Sequence, residues 1–201
     1  MKRIAVLASG RGSNLEAIFK AIERGEVAGE VVLVLSDRAD AGALKRAERR
    51  GVKALFIDPE VAGDRAGYDL LLSAEIDQAG AELIVLAGYM RLLSSSFVEK
   101  YRWSILNVHP SLLPAFPGSR GIEDALAYGV RVSGSTVHFV DAGLDSGPVI
   151  LQESLPLLQE DNLDTLRERI QAIEHRIYPV AIDLFCRGRL KVSDERCVVI
   201  E

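Results

Sequence analysis

The sequence predicts an α/β fold: a mostly parallel, Rossmann-like sheet flanked by helices, with an antiparallel C-terminal addition. Three observations carry that reading. Short β-branched runs alternate with helical patterns through the first half of the chain, the rhythm of βαβ units that build parallel sheets. A glycine-bearing turn, SGRGSN, joins the first run directly to a helix, as at the ligand end of a doubly wound sheet. Beyond Val130 the pattern shifts to period-two alternation, as in a half-buried strand of an antiparallel hairpin.

Taken in order, RIAVLA is the first strand, and Asn14 can cap a helix through LEAIFKAIERG that ends near Gly25. EVVLVLSD is the second strand, and ADAGALKRAERRG is a helix ending at Gly51. VKALFI, the helix RAGYDLLLSAEIDQAG, AELIVLAG, the short helix SSSFVEKY and WSILNVH continue the alternation. VRVSGSTVHFVDAG then sets Val132, Gly134, Thr136 and His138 on one face of a strand and Ser133, Ser135, Val137 and Phe139 on the other. DSGPVILQESLPL reads as its hairpin partner. The longest helix candidate is NLDTLRERIQAIEHRIYPVAIDLF. Tyr178-Pro179 is expected to bend or interrupt it, because proline lacks an amide hydrogen and crowds the preceding turn. RLKV and CVVI pair as a small terminal hairpin. No repeat, low-complexity tract or linker divides the chain, so one domain over residues 1–201 is expected.

Composition excludes several classes. Hydrophobic residues at 48% and charged residues at 26% describe a globular chain rather than a disordered one. A net charge of -5 argues against a broad nucleic-acid surface but leaves room for a local basic pocket. The apolar stretch after Lys2-Arg3 stops at Gly10, too short for a signal sequence, and LIVLAGYM is far below bilayer-spanning length. No membrane segment is expected. Cys186 and Cys197 are the only cysteines and form no CxxC pair, so neither a zinc knuckle nor a disulfide scaffold is expected. A cytoplasmic location fits that usage.

The chemistry concentrates in three places. In SGRGSN, Gly10 and Gly12 permit unusual backbone angles, and the loop with Ser13 and Asn14 can aim free amides at a phosphate while Arg11 adds charge at the rim. The loop alone leaves three readings open: a phosphate site, a dinucleotide site, and a tight turn without a ligand. GRGSNL has Leu15 where the dinucleotide fingerprint has its third glycine, although Asp37 follows the second strand; the Walker A ending is absent. In SILNVHPSLLP, Asn107 and His109 are two residues apart, so on a strand both side chains point to one face at the end where ligands bind. Pro110, Pro114 and Pro117 then stiffen a connection that could wall a pocket. Asp145, in DAGLDSGPVI, is a carboxylate able to hold the His109 ring if the chain folds back. The widely separated histidines do not form a metal motif, and GRGSN is not the GxSxG of a serine hydrolase.

Five segments in order, ASGRGSNL, LAGYMRLLS, ILNVHPSLLPAFPG, GSTVHFVDAGLDSGPVILQ and IEHRIYP, closely resemble the phosphoribosylglycinamide formyltransferases, the folate-dependent enzymes of purine synthesis. The resemblance covers essentially the whole chain. It implies that Asn107, His109 and Asp145 are the catalytic trio. It implies that Gly12, Ser13 and Asn14 hold the phosphate of glycinamide ribonucleotide and that Glu174 contacts the ribose or glycinamide part. Met90, Arg91, Leu92 and Leu93 match the folate pocket, Val140, Asp141, Gly143 and Leu144 its opposing loop, and Arg65 a residue near the glutamate tail. Residues 1–109 would then be a phosphate-binding α/β half and residues 110–201 a half carrying the folate loop. The implied co-substrate is 10-formyltetrahydrofolate, with no metal, and the implied assembly is a monomer or homodimer. After PG this chain has SRGIED where some members carry a histidine, so no histidine-like role passes to Arg120 or Ile122.

Two relatives are less well matched. Formyltetrahydrofolate deformylases usually carry an N-terminal regulatory domain, whereas the first strand here begins by Arg3. Methionyl-tRNA formyltransferases carry a C-terminal barrel, and the acidic balance does not favour tRNA. A nucleotide-binding protein without turnover would need only the glycine loop, not the trio.

Overall fold

A computed structural model describes residues 1–193 and 196–201. Five parallel strands, β1 (Lys2–Leu7), β2 (Gly29–Ser36), β3 (Lys53–Phe56), β4 (Leu83–Leu86) and β5 (Ile105–His109), are joined by β6 (Val132–Phe139) and β7 (Val149–Pro156). They form one seven-stranded sheet of order β3-β2-β1-β4-β5-β6-β7, with β6 and β7 antiparallel to their neighbours. The helices are α1 (Ser13–Glu23), α2 (Gly42–Glu48), α3 (Arg65–Gln78), α4 (Ser95–Lys100), α5 (Gly121–Tyr128) and α6 (Leu163–Cys186). A separate hairpin, β8 (Leu190–Ser193) with β9 (Cys197–Ile200), lies near the C-terminus. Among the described residues no helix is long and apolar enough to cross a membrane.

The strand pleat sorts the core into two layers. Ile4 and Val6 of β1 join Leu15 and Ile18 of α1, Leu44 of α2 and Ile170 and Ile173 of α6. Ala5 and Leu7 point the other way, onto Tyr68, Leu72 and Ile76 of α3 and Phe97 of α4. Each such leucine or isoleucine contributes roughly 1.5–3 kcal/mol by leaving water. Strand order reverses at β1, whose neighbours are β2 and β4, so a crevice opens beyond the C-terminal ends of β1 and β4.

Two local expectations are corrected and one element is added. Asn14 does not cap α1 from outside: the cap position is Gly12, in the left-handed region at φ 76, and Asn14 lies in the first turn. Glycine is required there, because a Cβ on Gly12 would stand 2.8 Å from the Ala43 Cα. Between β5 and β6 lies α5, a helix that the sequence pattern leaves unassigned. Its N-cap Arg120 makes no side-chain hydrogen bond, so the usual opening signal is missing. Pro179 does not interrupt α6, which runs unbroken through it. The preceding residue is anchored too firmly: the buried Tyr178 hydroxyl donates to the carbonyls of Leu86 (3.0 Å) and Leu106 (2.9 Å), tying the helix to β4 and β5.

Candidate active site

The pleat of β5 puts Asn107 and His109 on one face. The antiparallel register sets His138 opposite Asn107 and Thr136 opposite His109, so four polar side chains share that face. His109 is buried, and each ring nitrogen meets an acceptor: Nε2 donates to the Phe116 carbonyl at 2.8 Å, and Nδ1 lies 3.4 Å from Asp145 Oδ2. Burial pushes His138 below the ordinary imidazole range, because the charged ring would lose its hydration. The neutral ring donates from Nδ1 to the Phe139 carbonyl at 2.8 Å, leaving Nε2 as acceptor for the Asn107 amide at 3.2 Å. That pairing fixes which way the Asn107 amide points.

Asp145 comes from the loop 140–148, between β6 and β7. Its Oδ2 accepts from the Gly118 amide at 2.7 Å, and its Oδ1 is 3.5 Å from Asn107 Nδ2 and 3.8 Å from His138 Nε2. The residue itself sits in the left-handed region, at φ 48, a conformation that aspartate tolerates better than most side chains. The loop reaches this position only because Gly147 lacks a Cβ, which would fall 1.9 Å from the Phe139 carbonyl oxygen. Asn107, His109 and Asp145 are thus one cluster.

Two clefts meet there. The first, about 430 Å³, is lined by the trio and by Arg65, Met90, Arg91, Leu92, Leu93, Val140, Asp141, Gly143 and Leu144. Its rim is apolar to an unusual degree for solvent-facing residues: Met90 is 69%, Leu92 59% and Leu144 54% exposed, the signature of a surface meant to be covered. Arg91 is stacked over the Tyr68 ring, 5.0 Å from its centre. The second cleft, about 290 Å³, is lined by Gly10, Arg11, Gly12, Ser13, Asn14 and Glu174, among others. Gly88, Met90, Val108, Pro110 and Ser119 line both, so the clefts join beside the end of β5.

Glu174 is 6% exposed, and Asn14 Nδ2 donates to its Oε2 at 2.9 Å. Desolvation raises its carboxyl to about 7, partly offset by that hydrogen bond. The neighbouring Asn14 Oδ1 is buried and has no partner. A protonated Glu174 has a hydroxyl to offer it.

Sequence reasoning missed several lining residues. Arg167 and Gln171 face the second cleft with Glu174; their spacing of seven and three residues along α6 marks one helical face and could have revealed them. Gln152 had no signal. It stands opposite Thr136, and its Nε2 donates to the Leu113 carbonyl at 2.8 Å and to Thr136 Oγ1 at 2.9 Å. Thr136 in turn donates to the Ser111 carbonyl at 2.7 Å and accepts from the Leu113 amide at 3.0 Å. These bonds pin the start of the proline-rich loop, which then meets the trio through the Phe116 carbonyl and the Gly118 amide. Among the described residues no three His, Cys, Asp or Glu side chains gather as a metal ion would need.

A fold of this topology, with two joined clefts beside an Asn-His-Asp cluster, has close counterparts. The family described as formyl transferase matches residues 2–182, and the chain belongs to that family. The phosphoribosylglycinamide formyltransferase of Escherichia coli K12 is 44% identical over 191 residues, 95% of this chain and 90% of its own length. A crystal structure of glycinamide ribonucleotide transformylase 1 from Symbiobacterium toebii superposes with a TM-score of 0.97 at 50% identity, covering 100% of this chain and 94% of the other. The trifunctional purine biosynthetic protein adenosine-3 of Gallus gallus is 42% identical over 192 residues, but this chain spans only 19% of its length.

Proposed function

We propose that this chain transfers the formyl group of 10-formyltetrahydrofolate to the amine of glycinamide ribonucleotide. The observation that carries the reading is that the cleft lined by Asn107, His109 and Asp145 opens into the second cleft through the shared residues Gly88, Met90, Val108, Pro110 and Ser119. The larger cleft suits a flat pterin: Met90, Leu92, Leu93, Val140 and Leu144 give apolar walls, and Arg65 offers a charge to a carboxylate tail. The smaller suits a ribonucleotide. The first amides of α1 lack intrahelical acceptors and, with Ser13, can hold its phosphate, while Glu174 and Asn14 face the sugar or glycinamide end.

The folate supplies the formyl carbon; the remaining work falls to the protein. The apolar walls exclude water, so the amine held from the ribonucleotide side is the available nucleophile. As it attacks, negative charge gathers on the formyl oxygen. Asn107, oriented by His138, can donate an amide hydrogen to that oxygen, and His109 can donate alongside it once Nε2 turns from the Phe116 carbonyl; one such aligned donor is worth about 10²–10³ in rate. Asp145 Oδ2, beside Nδ1, holds the His109 ring in place. The proton leaving the amine travels to the folate nitrogen through His109 or through a water on Asp145.

The test is turnover of 10-formyltetrahydrofolate with and without glycinamide ribonucleotide. Acceptor-dependent formation of tetrahydrofolate and formylated ribonucleotide is the expected result. Release of formate with water alone would replace the reading by hydrolysis, and silence in both arms would remove enzymatic formyl chemistry altogether.

A further inference from the structure

A third cleft, about 530 Å³, lies on the other side of the glycine loop and is lined by Ser9, Gly10 and Arg11 from the loop and by Arg38, Asp40, Lys45, Arg46 and Arg49 around α2. In a chain of net charge -5 this is a concentration of positive charge. The pairing of these cations is uneven. Arg46 is committed, donating from Nε to the Arg11 carbonyl at 2.9 Å and from a terminal nitrogen to Glu16 at 2.9 Å. Arg50, one turn on, is likewise held by Glu16 and Glu23. The side chains of Arg11, Arg38, Lys45 and Arg49 have no hydrogen bond or ion pair among the described residues. Asp40 is the one acid lining the cleft, and it pairs with none of them.

The walls are fixed rather than loose. The Ala43 amide donates to the Gly10 carbonyl at 3.2 Å, and there is no room between the loop and α2: a Cβ on Gly42 would stand 2.9 Å from the Arg11 carbonyl oxygen. Four unpaired cations around a cleft of this size, three of them guanidinium forks suited to phosphate oxygens, fit a compact polyanion better than an extended acidic chain.

We propose that this cleft is a second anion site, for the di- or triphosphate group of a small phosphorylated molecule, distinct from the substrate-phosphate cleft. The two sites share Gly10 and Arg11. Arg11 can serve one anion at a time, so a polyphosphate drawn to the third cleft removes charge from the substrate side. Occupancy therefore weakens ribonucleotide binding and leaves the chemical step alone.

Inorganic tripolyphosphate is the probe, titrated calorimetrically into the full chain and into the double variant Arg38→Ala/Arg49→Ala, neither residue being part of the formyl-transfer cluster. Wild type should bind it, and the variant should bind roughly tenfold or more weakly, from loss of two charge-assisted contacts. Tripolyphosphate should also raise the KM for glycinamide ribonucleotide in wild type at unchanged kcat, and should do so far less in the variant. Equal binding by both proteins would place the probe in the substrate-phosphate cleft and overturn the proposal, as would no binding to wild type at millimolar probe. Loss of binding in the variant without any effect of the probe on wild-type KM would overturn the coupling through Arg11. The binding arm needs no turnover, so its failure is separate from failure of the formyl-transfer reading.

Discussion

Replacing Glu174 by glutamine should make the protein more stable near pH 8 and leave its stability nearly unchanged near pH 4. The carboxyl is 6% exposed, and burial lifts it from 4.5 to about 7. Between those values the unfolded chain ionises this glutamate while the folded chain keeps it protonated, so the native state binds more protons and stability falls as pH rises. Its contribution is fully present below the unfolded value and is lost through the folded one. At about 1.4 kcal/mol per unit, the rise corresponds to about 3 kcal/mol of stability lost by wild type on passing from acid to mild alkali. Glutamine stays neutral, keeps an acceptor for Asn14 Nδ2 and offers an amide hydrogen to the unpartnered Asn14 Oδ1. Urea denaturation of both proteins at several pH values isolates the effect, since the other titrating groups cancel in the difference. A difference that grows toward neutrality and flattens above about pH 8 is expected. One that does not vary with pH would refute a buried, raised Glu174.

Other substitutions probe the cluster and its supports. Asp145→Asn and His109→Ala should each lower kcat by about 10²–10⁴ while leaving the thermal unfolding profile close to wild type, the range for losing a positioned acid-base group or its partner; near-normal formyl transfer by both would sink the trio. Ser13→Ala should raise the KM for glycinamide ribonucleotide more than it lowers kcat, and unchanged substrate affinity would count against the phosphate site. Tyr178→Phe leaves the Leu86 and Leu106 carbonyls without their shared donor and should cost about 1–3 kcal/mol in chemical denaturation. Gly147→Ala forces the loop 140–148 off the Phe139 carbonyl and should depress turnover with smaller loss of stability; full activity would show that Asp145 does not depend on that loop path.

How far the sequence could be read depends on the range of each interaction. The five parallel strands were legible because each is a short apolar run bounded by turn residues, and the pairing of Asn107 with His109 was legible because the pleat has period two. The approach of Asp145 was not, since it depends on the Phe139–Gly147 contact and on the β5–β6 register. Continuity of α6 through Pro179 was misread because proline's local preference was outweighed by tertiary hydrogen bonds from Tyr178, residues away in β4 and β5. The burial of Glu174 leaves no local trace either: a glutamate in a helix otherwise reads as solvent-facing.

The position of the cluster follows from β5 being both the last parallel strand and the first antiparallel partner. Had β6 run parallel, the residues beside Asn107 and His109 would approach the strand end with them and give way to a loop at the same height. Running antiparallel, β6 instead sets residues of its own ladder there, His138 and Thr136, each held by hydrogen bonds of its own. Asn107 and His109 therefore rest on a rigid ladder. The chain leaving β6 must then reverse to enter β7, and the reversal is what carries Asp145 back over the same face. The rigid pair and the loop-borne carboxylate are separate structural units, so substitutions in 140–148 should shift the His109–Asp145 distance while Asn107 and His138 keep theirs. In a cluster built this way, loop changes can move the carboxylate without disturbing the Asn107 amide held by His138.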